Sequence, residues 1–527
     1  MEFYSLMFVC FCALLCITYY AVGYIFKRFQ WVVILIFSLI FYALVTNIDT
    51  IVYVAFTLVL TYVATLVFHK IDSSSKKRLH TITNRADKKA FKHKVARIKQ
   101  LVLIAALMLI AGCLCYLKYW NTILYALSLA PSTKSLGLLL PLGISFYTFQ
   151  ALSYVFDIYN QKYTPEQNPF KLACYLIYFP QLIQGPINRF DKLAPHLFSY
   201  HAPSDTHFGR ASVLFCYGAL KKYVMADLLV DSISYIFDYK PASLPGSVIV
   251  FGILLYSAQQ YADFSGGIDM VEATSEFLGI PMQANFRRPY FSISLADFWR
   301  RWHISLGLWM KDYVFYPLAL TRPMKALGKC VKTHISSHLG KTLPAALANI
   351  FVFLLVGVWH GADAHFIWWG LYNGLVIATS DIAKPLTQGL AHLLHINQKT
   401  RSYHVFSVIR CFIVVNIGWY FDRIFDAQTS FTCLYNTVFS FHAHMLYPTL
   451  YSIGIKEDQI LAIALSFVMC VVVFVVSFIN ECGGNTLAYF DGRHHLARYA
   501  VYIVVFIVLV YASYLCSNHG GFMYANY

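Results

Sequence analysis

The stretch VGVWHGADAHFIWWG, residues 356–370, places two histidines and an aspartate in an otherwise apolar run. LANIFVFLLV precedes it and FIWWGLYNGLVIA continues it. Ionisable groups are costly in hydrocarbon, so an intramembrane histidine marks a functional site by default. His360 is flanked by Trp359 and by Gly361, whose missing side chain permits close approach of another group. A buried neutral imidazole is a competent general base for a hydroxyl. No G-x-S-x-G nucleophile motif lies beside it, so the hydroxyl must be supplied by something else. A metal centre wants at least three ligands, and HGADAH is no HExxH. His360 and His365 are five apart, poor spacing for one helical face, so no metal is expected and His365 reads as structural.

A second chemical stretch is FRRPYFSISLADFWRRWHISLGLWMKDYVFYPL, residues 286–318. It is too charged for a simple span and too aromatic for an ordinary loop. Trp299, Trp302 and Trp309 with Arg300, Arg301 and Lys311 fit a helix at the cytoplasmic membrane interface, where tryptophan settles and arginine stems snorkel. Anchoring explains Asp297 and His303 less well. The arginines also suit the phosphate groups of a cytosolic donor such as a nucleotide or coenzyme A. YADFSGGIDM, residues 261–270, carries Asp263 and Asp269 six apart, off a common helical face, with Gly266-Gly267 expected to break the helix between them. A structural role is expected there, capping or pairing with the arginines of 287–301.

The elements that position these groups follow from composition. The chain has 527 residues, 58% hydrophobic, 17% aromatic and 13% charged. Soluble domains carry about a quarter charged residues, so this is an all-α polytopic membrane protein. The net charge of +16 would suggest nucleic acid in a soluble chain. Here it fits cytoplasmic loops facing anionic lipid headgroups, and no nucleic-acid partner is expected. The thirteen cysteines mostly lie in apolar runs and form no disulfide framework.

A span takes roughly 20 apolar residues, which gives about eleven crossings plus re-entrant and interfacial pieces. LIYFPQLIQGPINRF is the clearest re-entrant candidate. Residues 70–100 are strongly basic and helix-forming, predicting a cytoplasmic interfacial helix. Counting spans from that inside segment puts both the N-terminus and the C-terminal tail outside. The N-terminal run has no basic leader and no small-residue cleavage site, so it reads as a retained first span. The whole chain, 1–527, reads as one embedded domain: N-terminal spans 1–130, a core 131–380 and C-terminal spans 381–527.

Taken in series, PLGISFYTFQALSYVFDIY (141–159), YFPQLIQGPINRF (178–190), YADFSGGIDM, NFRRPYFSISLADFWRRWHISLGLWMKDYVFYPL (285–318) and VGVWHGADAHFIWWGLYNG (356–374) resemble the membrane-bound O-acyltransferase (MBOAT) family. The branch they look most like is the bacterial alginate O-acetyltransferase membrane subunit and its relatives in polysaccharide acetylation.

The resemblance implies an MBOAT fold around a central funnel, with the 131–380 core catalytic. It implies that the WHG histidine, His360, is catalytic, and that the FWRRWH histidine, His303, is the second family histidine, towards the cytoplasmic side. Trp359, Arg300, Arg301, Trp302, Asp297 and Asp263 become candidates for the donor side or channel. The donor implied is acetyl-CoA, with no tightly bound cofactor. The acceptor is a cell-envelope polysaccharide, with an extracellular SGNH-type acetyltransferase or similar envelope protein as partner, at a bacterial plasma membrane.

The tail FMYANY (522–527) is similar to a C-terminal Phe-x-Tyr ending in some envelope acylation systems, pointing to Tyr524 as an acyl relay; an aromatic-belt anchor is the equal alternative. The chain departs from the alginate branch at YPLALTRPMKALGK, where a Gly-Gly pair usually follows, which leaves the acceptor polymer open. The alternatives are a D-alanyl transfer protein of teichoic acids, using a D-alanyl carrier protein, and an exporter of an acyl donor or glycolipid. No inverted repeat supports the exporter.

Overall fold

The computed structural model describes residues 6–126, 141–206, 208–361 and 363–516. All regular structure among them is helical. Among the described residues, eight helices are long and apolar enough to span a bilayer: Met7–Ile25, Lys27–Val45, Ile48–Thr81, Arg85–Trp120, Ser337–His360, Arg401–Arg423, Glu457–Glu481 and His495–Leu515. The protein is thus an all-α, multi-pass membrane protein. Other runs from which about eleven crossings were expected fold as short helices, such as Pro169–Leu176, or as long ones carrying acids, such as Gly246–Glu276.

The described chain groups into two compact units. The first comprises Met1–Ala211 and Val271–Gln283. Within it the basic segment 70–100 is not a separate interfacial helix. It forms the ends of two long helices, Ile51–Thr81 and Arg85–Ala126, joined by a three-residue turn. The reason is local: one of its lysines is buried and ties the pair together. Lys99 Nζ donates to Asp72 Oδ1 at 2.9 Å and to the Tyr159 carbonyl at 3.2 Å.

The expected re-entrant stretch is a run of short helices, Pro169–Leu176, Phe179–Gln184 and Phe190–Leu197. Asn168 caps the first, and Pro169 suits a first-turn position that needs no N–H. The irregular backbone between them is served from within the protein, as irregular backbone in a membrane protein must be. Gln181 Nε2 donates to the Tyr175 carbonyl at 2.7 Å, and Asn188 Nδ2 to Gln181 Oε1 at 3.2 Å.

The second unit comprises Ser212–Met270 and Ala284–Tyr527. Val224, Met225, Leu228, Ala262, Met469, Val473 and Ala512 form one of its apolar clusters. Helix Gly246–Glu276 runs unbroken through Gly266-Gly267, against expectation. The glycine serves packing: a Cβ on Gly266 would lie 2.7 Å from the Gly218 carbonyl oxygen, so the two backbones touch directly. That approach brings the π-helical turn Leu220–Ala226 against the acids. Lys222 Nζ lies 2.6 Å from Asp263 and 2.8 Å from Asp227, and Lys221 Nζ lies 2.6 Å from Asp269. The aspartates therefore pair with lysines, not with the arginines of 287–301. Two adjacent lysines on a widened helical turn can meet acids six residues apart, which a sequence-spacing rule for one helix misses.

Candidate active site

His360 is the last residue of helix Ser337–His360. Ser336 starts that helix, its hydroxyl accepting from the His338 N–H, and extended backbone at Gly361 ends it. Helix Ala364–Ile382 returns alongside at very short range. A Cβ on Gly370 would lie 2.5 Å from the Phe353 carbonyl oxygen, and one on Gly374 would lie 2.9 Å from Ile350 Cα. Small residues let the helix pair close, and closure surrounds His360 with rings. Its imidazole sits 4.9 Å from Trp359, 5.2 Å edge-on from Trp369 and 5.9 Å nearly parallel to Phe366 between centroids. The Phe366 ring occupies the space that a Gly361 side chain would fill. His360 is buried and lines a cavity of about 720 Å³, of the size that small-molecule sites have.

His303 lines the same cavity, in the two-residue link between helices Leu295–Arg301 and Ile304–Met310. Its φ of +47° is left-handed, a conformation that costs a non-glycine residue about 1–3 kcal/mol. The surroundings enforce it. Arg287 N–H donates to the Arg301 carbonyl, and Ile304 N–H to the Asn285 carbonyl, each at 2.9 Å. Asn285 Oδ1 accepts from the Ser305 N–H at 3.0 Å and the Ser305 hydroxyl at 2.8 Å. A backbone N–H can only donate, so this oxygen is an acceptor, and His303 Nδ1 at 3.2 Å must donate to it. The neutral ring then carries its lone pair on Nε2. His303 lies outside the eight spanning helices, and its burial pushes the imidazole down to about 3. It is a neutral hydrogen-bond acceptor at physiological pH.

Aromatic rings wall the site. Phe298 and Trp302 stack at 5.4 Å, Trp302 meets Trp419 at 5.6 Å, and Trp299 meets Trp369 edge-on at 5.3 Å. Trp299 Nε1 donates to Asn373 Oδ1 at 2.9 Å, fixing the ring. Arg287, Arg300, Arg301 and Lys311 supply positive charge to the lining, and Asp297, Asp381 and Asp422 supply negative. Arg301 is already committed: its guanidinium pairs with Asp297 at 3.2 Å and with Glu481 at 2.8 Å. Arg300 is 71% exposed at its side chain and makes only a long contact to Asp297, so it has capacity for an anionic group.

Of the sequence candidates, His360, His303, Asp297, Arg300, Arg301 and Trp302 come together on this one cavity. Trp359 is not in the lining; it packs between the two histidines, 6.4 Å from His303 and 4.9 Å from His360. Asp263 is not in the lining either, being held by Lys222. His365 is fully buried outside the lining, with Phe425 edge-on at 5.5 Å. Tyr524 lies outside the described residues. No three His, Cys, Asp or Glu side chains among the described residues group as a metal site requires.

Sequence reading missed Asn285, Gln260 and Asp422. Asp422 ends the apolar run FIVVNIGWYFD, so the rule that singled out His360 would also have found it. Its Oδ2 accepts from Tyr256 Oη at 2.7 Å and Gln260 Nε2 at 2.6 Å.

Residues 167–421 match the model of the MBOAT, membrane-bound O-acyltransferase family. The chain is 32% identical over 305 residues to the probable alginate O-acetylase AlgI of Pseudomonas aeruginosa, covering 58% of this chain and 52% of that protein. It is 30% identical to the peptidoglycan O-acetyltransferase of Helicobacter pylori over 369 residues, 64% of each chain. It is 27% identical to the teichoic acid D-alanyltransferase of Bacillus subtilis, covering 45% of this chain and 58% of that one. The chain thus spans between about half and two thirds of the length of these relatives. Residues 167–421, which hold both cavity histidines, match the MBOAT family's domain, and the chain resembles that family and its alginate O-acetylase branch.

Proposed function

We propose that the protein is an O-acyltransferase that moves an acetyl group from acetyl-CoA to a hydroxyl, for O-acetylation of a cell-envelope polysaccharide. The observation that carries this reading is the placement of His360 and His303 on one aromatic cavity inside a membrane protein that resembles this family. His360 takes the proton of the acceptor hydroxyl, the hydroxyl oxygen attacks the thioester carbonyl carbon, the C–S bond breaks and coenzyme A leaves as thiolate. His303, neutral and with its lone pair on Nε2, shapes the cavity wall and cannot itself donate to the developing oxyanion. Arg300, with Arg287 and Lys311, receives the phosphates of the donor from the cytosol.

On this reading the basic segment 70–100 lies inside, both termini lie outside, and the membrane is a bacterial plasma membrane. The acceptor hydroxyl belongs to Tyr524, to an extracellular SGNH-type partner or to the polymer. The names of the alginate and peptidoglycan relatives support a polysaccharide acceptor. The likeness to teichoic acid D-alanyltransferases supports a second reading, transfer of D-alanine from a carrier protein.

Proteoliposomes given radiolabelled acetyl-CoA or a radiolabelled D-alanyl carrier protein separate the two. Base-labile label from acetyl-CoA alone is expected, and label from the carrier alone would overturn the acetyl assignment. For the relay, Tyr524→Phe is expected to block transfer to the external acceptor; normal transfer would leave Tyr524 an interfacial anchor.

A further inference from the structure

Asp422 and Gln260 come from helices Arg401–Arg423 and Gly246–Glu276, 162 residues apart, and meet on the cavity wall. One carboxylate oxygen, Oδ2, is taken by Tyr256 Oη and Gln260 Nε2. Tyr256 and Gln260 also contact one another, so the three side chains form one clamp. The other oxygen, Oδ1, accepts no hydrogen bond from the described residues and is not sealed inside the protein. The same holds for Gln260 Oε1. Beside these acceptors stand the rings of Trp302 and Trp419, 5.6 Å apart, and both line the cavity.

A carboxylate in a mostly apolar wall is expensive unless something donates to it. Here the protein supplies donors for one oxygen and leaves the other unsealed on a residue of the cavity lining. We propose that Asp422 Oδ1 and Gln260 Oε1 form a binding subsite for a neutral O–H or N–H group of a substrate, seated against the Trp302 and Trp419 faces. The proposal rests on the acyl-transfer reading and adds to it a recognition site remote in sequence from both histidines. Two substrates carry such groups: the hydroxyl-bearing acceptor, and the thioester donor through the amides of its pantetheine arm.

The clamp makes the test specific. In Asp422→Asn, Tyr256 and Gln260 still require an oxygen, so the asparagine must turn its NH2 towards the cavity. The volume is kept while an acceptor becomes a donor. Sites built to hydrogen-bond a substrate group lose heavily when that bond is lost, so kcat/KM is expected to fall roughly 10- to 100-fold.

Acetyl transfer would be measured in proteoliposomes from radiolabelled acetyl-CoA to an envelope fraction of the expressing cells, with each substrate varied in turn. A rise in apparent KM for the envelope fraction assigns the subsite to the acceptor. A rise in KM for acetyl-CoA, matched by weaker coenzyme A binding in calorimetry, assigns it to the donor arm. Gln260→Leu, which removes one donor of the clamp and the second acceptor, is expected to move the same constant and serves where Asp422→Asn fails to accumulate. An active wild type with undiminished kcat/KM in the variant would overturn the subsite alone. A wild type that transfers no acetyl group would instead overturn the acyl-transfer reading.

Discussion

At the scale of single residues, the site separates two histidines by environment. His360 ends a spanning helix among three aromatic rings; His303 occupies a left-handed link with Asn285 fixing its tautomer. Asn285→Ala removes the acceptor that holds Nδ1–H, so the ring is free to turn and to change tautomer. The expected result is a fall in kcat of roughly 10-fold or more, with the amount of folded protein retained, read from steady-state transfer and size-exclusion chromatography.

Burial pushes His303 down to about 3, so the folded protein resists protonating a group that the unfolded chain protonates near 6.5. The unfolded state therefore binds more protons between these values, and stability falls as pH drops below about 6.5, by up to about 1.4 kcal/mol per pH unit. Above that pH the contribution is fully present. Thermal unfolding in detergent between pH 7 and 4 would show a steeper acid loss for wild type than for His303→Gln; equal slopes would contradict the burial argument.

Elements place these residues by close backbone contact. Gly370 lets helix Ala364–Ile382 lie directly on helix Ser337–His360, and Gly266 does the same for the lysine-bearing turn at 220–226. Gly370→Leu should force the first pair apart and lower the unfolding midpoint, on an overpacking cost of about 1–3 kcal/mol. Lys222→Met leaves Asp227 and Asp263 buried without their cation, a larger cost of about 3–5 kcal/mol, which detergent unfolding would register as a lower midpoint than Gly370→Leu gives.

Apolar length predicted the spanning helices, and ionisable groups within apolar or aromatic runs singled out His360, His303 and Arg300 as candidates. The pairing of Asp263 with Lys222 and the meeting of Asp422 with Tyr256 join elements 41 to 166 residues apart, and no periodicity in either partner encodes them. The basic segment 70–100 has the composition of an interfacial helix, but the buried Lys99–Asp72 pair makes it a continuation of two spans.

At the scale of the whole molecule, a polytopic helical protein carries an aromatic cavity lined by two histidines, with arginines in the lining and a match to the MBOAT domain over residues 167–421. On the proposed reading, His360 promotes acyl transfer from that cavity. This role is tested most directly by wild type and His360→Ala in proteoliposomes at matched protein, with radiolabelled acetyl-CoA and ester-linked label in the envelope fraction as the readout. The variant is expected to reach the membrane in normal amount and to lose roughly 10²- to 10⁴-fold of the transfer rate. A variant that transfers acetyl at the wild-type rate would contradict that role.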